Sequence, residues 1–288
     1  LLATFLSGLG WTVAHYLPDR FKEGYGLTLA AARNCHASVP APLLLAVDCG
    51  STAREPVEWL GAQGVDVLVL DHHQPGDSPA RPVALVNPQL GDKDHELCSA
   101  GLAFKLAHAL LKAGRQQGLP GFQSYDIRPL LDLVALGTVA DLVPLVRENR
   151  ILATAGLQRL GATQRPGLVA LKEVADVPDD VGVEHVGFQL GPRLNAAGRL
   201  DSARRSLDLL LATDPDHAMR LAQDLDLHNR ERQAIERTMA HDAIATIRSR
   251  FNPGTDYVIV EGHLLWHVGV VGIRSEEHTS ELQSRQYL

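Results

Sequence analysis

The chain has 288 residues, 45% of them hydrophobic, enough to fill one large α/β domain and part of a second. That composition excludes a disordered tail, and no run approaches the roughly 18 uninterrupted apolar residues of a membrane span. A net charge of −7 excludes broad phosphate neutralisation along duplex DNA, so any nucleic-acid contact must be local.

Leu1 to Leu6 reads as the interior of an amphipathic helix, so an upstream segment is expected. Short β-branched runs then alternate with helical segments, the pattern of βαβ units around a parallel sheet. Strands are expected at Thr12 to Tyr16, Leu43 to Cys49, Val65 to Leu70 and Val83 to Val86, with helices at Thr28 to Arg33, Ala53 to Gln63 and Ala100 to Gln116. Ile127 to Ala140 is apolar nearly all round, which predicts a buried helix, and another is expected over Arg147 to Leu160. From Pro215 to Arg250 there is no Gly or Pro, and Asp214-Pro215 offers a cap and a proline at the first helical position. One helix of about 54 Å is expected there, at about 1.5 Å per residue. Tyr257 to Val260 is expected to be a strand of a second domain. Residues 274 to 288 look like a translated sequencing-library adapter and are set aside from fold reasoning. Cys35, Cys49 and Cys98 form no CxxC pair and are expected as reduced thiols in a cytoplasmic protein.

Functional groups of parallel α/β sheets sit beyond the carboxyl ends of strands. Two strands deliver such cargo here: one ends in Asp48-Cys49-Gly50, the other in Asp71-His72-His73. Carboxylate and imidazole together suit Mn²⁺ or Mg²⁺ better than the thiolate sets of structural zinc. Asp48 alone could equally be a helix cap. A third acid, Asp141, ends an apolar run and must be paired, capping or metal-bound. The segment Gly191 to Leu200 is expected to be a flexible loop carrying Arg193, Asn195 and Arg199. Arginine forks match phosphates, although an interdomain salt bridge accounts for the same residues.

Taken in order, Phe21 to Leu27, Val47 to Gly50, Asp71 to Pro75, Leu136 to Leu145 with Glu148-Asn149-Arg150, Gly191 to Arg199 and Trp266 to Ile273 resemble the motif series of the RecJ family of DHH phosphoesterases. The resemblance implies a parallel-sheet DHH domain over residues 1 to 165, lacking its first strand. A connecting region with a phosphate-binding loop would follow over 166 to 214, then the long helix 215 to 250. Residues 251 to 273 would start a C-terminal DHHA1-like α/β domain. It further implies Asp48, His72 and Asp141 as metal ligands, Asp71 as an orienting group and His73 beside the scissile phosphate. Arg193, Asn195, Arg199 and His267 would meet the substrate.

The activity implied is two-metal hydrolysis of single-stranded DNA, as a 5′ to 3′ exonuclease in repair and recombination, with Mn²⁺ or Mg²⁺. A monomer is implied, with repair or single-strand-binding proteins as companions. Other DHH phosphoesterases acting on short oligonucleotides or cyclic dinucleotides, and a noncatalytic replication scaffold of the same fold, are the competing readings. The family's first Asp-rich motif is absent, so residues 1 to 288 alone are expected to bind metal poorly and to degrade single strands negligibly.

Overall fold

Leu43–Val47 (β1), Asp66–Leu70 (β2) and Ala84–Val86 (β3) form a parallel sheet in the order β1-β2-β3, with Val47 opposite Leu70 and Leu70 opposite Val86. The structure is a computed structural model that describes residues 1–91, 96–200, 202–252, 255–256, 259 and 261–271. Side chains alternate across a strand, and the two faces of this sheet pack differently. Ala46, Val67 and Val69 join Ala32, Val57 and Leu60 in one core, while Leu70, with Leu45 against it, packs with Leu97 and Leu102.

Leu2–Gly8 (α1) precedes Leu29–Ser38 (α2) and Arg54–Ala62 (α3), and the latter two cover the first face of the sheet. Thr28 caps α2, its Oγ1 accepting from Ala31 N at 3.1 Å, and α2 runs five residues past the expected end at Arg33. Ser99–Gln116 (α4) covers the opposite face. The expected strand Thr12 to Tyr16 does not form: the segment has no ladder partner, and the Tyr16 hydroxyl bonds the Glu23 carboxylate instead. Strand propensity is realised only where a neighbouring strand completes the hydrogen bonds.

The buried helix is Leu131–Ala140 (α5), followed by Arg147–Gly161 (α6). A Cβ on Gly156 of α6 would stand 2.4 Å from Leu131 O and 2.6 Å from Ala135 Cβ, so a glycine is needed for this approach. Pro166–Val174 (α7) and a short turn, Val183–His185 (α8), lead through a π-helical turn, Val186–Leu190, into Gly191–Leu200 (α9). Arg204–Leu211 (α10) and Pro215–Arg250 (α11) follow.

The segment expected as a flexible loop is therefore helix α9. Ala196 and Ala197 are fully buried, so the small residues serve close packing and not mobility. One core joins Leu133, Leu136 and Val139 of α5 to Leu168, Leu171, Leu190, Leu209 and Leu225, so it crosses position 165. Helix α11 is continuous over 36 residues, with Asp214 Oδ1 accepting from His217 N at 2.7 Å. The expected strand Tyr257 to Val260 lies outside the described residues except Ile259, and residues 274–288 lie outside them entirely. Among the described residues, no helix is long and apolar enough to cross a membrane.

Candidate metal centre

The register that aligns the three strands also aligns the residues just beyond their carboxyl ends. Asp48 N donates to Leu70 O at 2.9 Å and Asp71 N to Val86 O at 3.1 Å, so Asp48, Asp71 and Asn87 leave one edge of the sheet side by side. Asp48 has φ +66 and Gly50 φ +111, so the chain turns sharply as it leaves β1.

His72 Nε2 lies 3.3 Å from Asp48 Oδ1 and 3.3 Å from Asp141 Oδ2. That nitrogen is buried, and neither carboxylate is aligned to accept a hydrogen bond from it. Asp48, His72 and His73 each bring one ligand atom within 4.8 Å of the others. Asp141 arrives from another direction, as the residue that ends α5, with its N donating to Gly137 O at 3.0 Å.

Asp71 faces inward. Its carboxylate accepts from Ser51 N at 3.0 Å, His72 N at 2.8 Å and His73 N at 3.2 Å, and contacts His73 Nδ1 at 2.7 Å. Asn87 Nδ2 donates to Ser51 Oγ at 2.7 Å and to His73 O at 2.8 Å, which ties the turn after β2 to the end of β3.

The electrostatics reflect this geometry. Contact with Asp48 raises the His72 pKa above its ordinary value, against the lowering effect of burial. Desolvation pushes Asp48 and Asp71 upward, but His72, Ser99 and His73 together at Asp48, and Ser51 with His73 at Asp71, leave both lowered. At Asp141 desolvation prevails over the His72 charge, and its pKa is raised. Burial, then the Asp71 and Asp48 charges, push the Cys49 thiol up to about 11.

This donor set fits a hard divalent cation. Ligand atoms about 2.1 Å from one ion and at right angles stand about 3 Å apart, close to the 3.3 Å found on either side of His72 Nε2. An imidazole nitrogen facing two carboxylates without an aligned hydrogen bond is the arrangement such a site presents.

A family model for the DHH family, N-terminal domain, matches residues 1–138. RecJ of Bacillus subtilis (strain 168), a single-stranded-DNA-specific exonuclease, is 40% identical over 274 residues, which cover 93% of this chain and 33% of that protein. The chain is similar to RecJ over nearly all of its length, and its first half carries the DHH-family match. RecJ of Escherichia coli (strain K12) is 40% identical over 280 residues, covering 93% of this chain and 48% of that protein. A crystal structure of exonuclease RecJ bound to manganese superposes with a TM-score of 0.81 at 34% identity, covering 94% of this chain and 66% of that one. RecJ from Thermus thermophilus in complex with Mn²⁺ gives 0.77 at 32% identity, covering 94% and 38%. The chain thus spans between a third and a half of the length of these two curated RecJ relatives.

The remaining expected residues of the RecJ motif series lie outside the cluster. Arg193 Nε donates to Asp226 Oδ1 at 2.9 Å and its Nη1 to Gln189 O at 2.8 Å, so much of this guanidinium is occupied by a largely buried carboxylate of α11. Asn195 and Arg199 line a cavity between α9 and α11, and Arg199 Nη1 also reaches Gly269 O at 3.4 Å. The His267 ring meets Phe21 edge to face, with centroids 6.4 Å apart.

Sequence reasoning missed Ser51, Asn87 and Asp226. Asn87 directly follows β3, as Asp48 and Asp71 follow their strands, so the same rule reaches it. Nothing local links Arg193 to Asp226 across 33 positions.

Proposed function

We propose that this chain carries the catalytic centre of a metal-dependent exonuclease that hydrolyses phosphodiester bonds in single-stranded DNA. The observation that carries the reading is His72 Nε2, buried and 3.3 Å from the carboxylates of both Asp48 and Asp141. Asp48, His72 and Asp141 would hold Mn²⁺ or Mg²⁺, as the manganese-bound RecJ structures suggest. When bound, such ions supply Lewis acidity toward the phosphate and lower the pKa of water.

The chain's own residues have separate tasks. Asp71 fixes His73 through Nδ1, which leaves Nε2 as the ring nitrogen to meet the scissile phosphate. Asn87 holds the His73 carbonyl, so the turn carrying both histidines keeps its shape as substrate arrives. Asn195, Arg199 and His267 would contact the strand, and Arg193 would act through the Nη2 that its partners leave for substrate. The polarity, 5′ to 3′, the work in repair and recombination and a monomeric cytoplasmic state are part of the same reading, supported by the likeness to RecJ.

Mn²⁺ titration of the enzyme that carries this chain, followed by electron paramagnetic resonance, tests the centre. His72→Ala should weaken Mn²⁺ binding at least about tenfold. In the enzyme that carries this chain, Asp141→Ala should abolish degradation of a single-stranded 30-mer. Mn²⁺ binding unchanged by His72→Ala, or faster cleavage of dinucleotides than of long strands, would overturn the reading.

A further inference from the structure

Asn149, in the first turn of α6, is buried, and its Nδ2 donates to two backbone carbonyls, Glu96 O at 2.7 Å and Pro144 O at 3.0 Å. Both neighbours are acceptors, so the amide nitrogen must be the atom that faces them. Oδ1 is buried with no donor among the described residues, an arrangement that costs stability, so packing alone does not explain an amide here. What the nitrogen joins does.

The two carbonyls belong to the segments that bring groups to the metal centre from either side. Glu96 lies just ahead of Ser99, the first residue of α4, whose hydroxyl stands beside the Asp48 carboxylate and is buried without an aligned acceptor. Pro144 lies just after Asp141, in a loop strained at both ends, with Leu142 at φ +56 and Arg147 at φ +46. Side chains rarely adopt such φ, and a loop that holds two of them must be fixed by its surroundings. Pro144 O accepts from Val146 N at 2.9 Å as well as from Asn149, so the bonds meet in the middle of that loop. The start of α4 and the last turn of α5 are also in close contact. A Cβ on Gly137 would stand 2.5 Å from Ala100 Cβ, and Cys98 Sγ lies 3.5 Å from Thr138 Oγ1. Asn149 adds the tie from α6.

We infer that Asn149 is a positioning residue of the metal centre: by joining Glu96 to Pro144 it fixes how far Ser99 and Asp48 on one side stand from Asp141 on the other. The inference rests on the proposed function and adds what sets the spacing of the ligands. Like charges repel, so two carboxylates that face one imidazole must be held at their separation by the scaffold until a cation neutralises them. A hydroxyl that donates to one oxygen of Asp48 leaves the other for the cation.

Electron paramagnetic resonance titration of Mn²⁺ into the enzyme that carries this chain tests this. Asn149→Leu, which keeps the branching and removes both donors, should weaken Mn²⁺ binding about 10- to 100-fold, and Ser99→Ala should weaken it about tenfold. Lys105→Met breaks a neighbouring pair between α4 and α6, Lys105 Nζ to Glu148 Oε1 at 2.8 Å, and should leave Mn²⁺ affinity at the wild-type value. Cleavage lost in Asn149→Leu should return as Mn²⁺ is raised, by mass action, with the KM for a single-stranded 30-mer unchanged. An asparagine that serves stability alone would lower the urea midpoint and leave the Mn²⁺ affinity of the folded enzyme unchanged, and that result overturns the inference. If Asn149→Leu does not fold, wild-type affinity in Ser99→Ala overturns it instead. Weakened binding in His72→Ala beside wild-type binding in Asn149→Leu leaves the centre standing without this role for Asn149. Wild-type binding in His72→Ala removes the centre and the inference together.

Discussion

Asp71 and His73 are joined by a 2.7 Å contact between Oδ1 and Nδ1, made by a carboxylate that also receives three backbone N–H groups. Asp71→Ala strands those donors in a buried position, which should cost about 3 kcal/mol or more in urea unfolding. Asp71→Asn keeps one acceptor oxygen and should cost less. In the enzyme that carries this chain it should still lower phosphodiester hydrolysis about 10- to 100-fold, because His73 loses its orienting partner.

Leu142 follows Asp141 with φ +56 and is 87% exposed. Its backbone adopts the left-handed conformation that glycine favours after a helix, and its side chain buries little in return. Leu142→Gly should raise stability by about 0.5–1 kcal/mol in urea melts. An unchanged or lower midpoint would show that the leucine is held by contacts that outweigh its strain.

Gly156→Ala should destabilise the chain by about 2–3 kcal/mol, since the added methyl would overlap Leu131 O and Ala135 Cβ and force α5 and α6 apart. Because α5 ends at Asp141, the same variant should weaken Mn²⁺ binding without touching a ligand.

Burial, reinforced by the Glu23 carboxylate, pushes the Tyr16 hydroxyl up to about 12 from an ordinary 10.0. The folded chain therefore keeps a proton between these values that the unfolded chain releases. Stability from this pair should be complete below pH 10 and should fall as pH rises toward 12. Urea midpoints at about pH 9 and about pH 11 should diverge in wild type and diverge less in Tyr16→Phe.

Much of the sheet was legible because its signals are local. The strands at Leu43 and Val65 are short, largely apolar runs, each followed at once by an acid and turn residues. The meeting of Asp48, His72 and Asp141 was also legible as an expectation, since strand ends share an edge and an acid closing an apolar helix needs company. Two features were not. Gly191 to Leu200 reads as a loop by its Gly and Pro content, and only the packing of Ala196 and Ala197 against the helical core makes it a helix. Arg193 reads as a phosphate ligand by residue type, and its partner Asp226 is visible only once α9 lies along α11. The strand Thr12 to Tyr16 failed for the opposite reason: its composition is right, but no neighbour pairs with it.

Helix α11 also has a mechanical meaning. It is packed along most of its length, with Ala218, Ala222, Leu225 and Asn229 buried, Asp226 held by Arg193, and Met239 and Ala240 buried again further on. From Ala240 to Arg250 the axis runs on for about 15 Å. A tilt of about 5° displaces the far end by about 1.3 Å over that length. The last ten residues are therefore a short arm, and whatever follows α11 is steered by the packing of Met239 and Ala240.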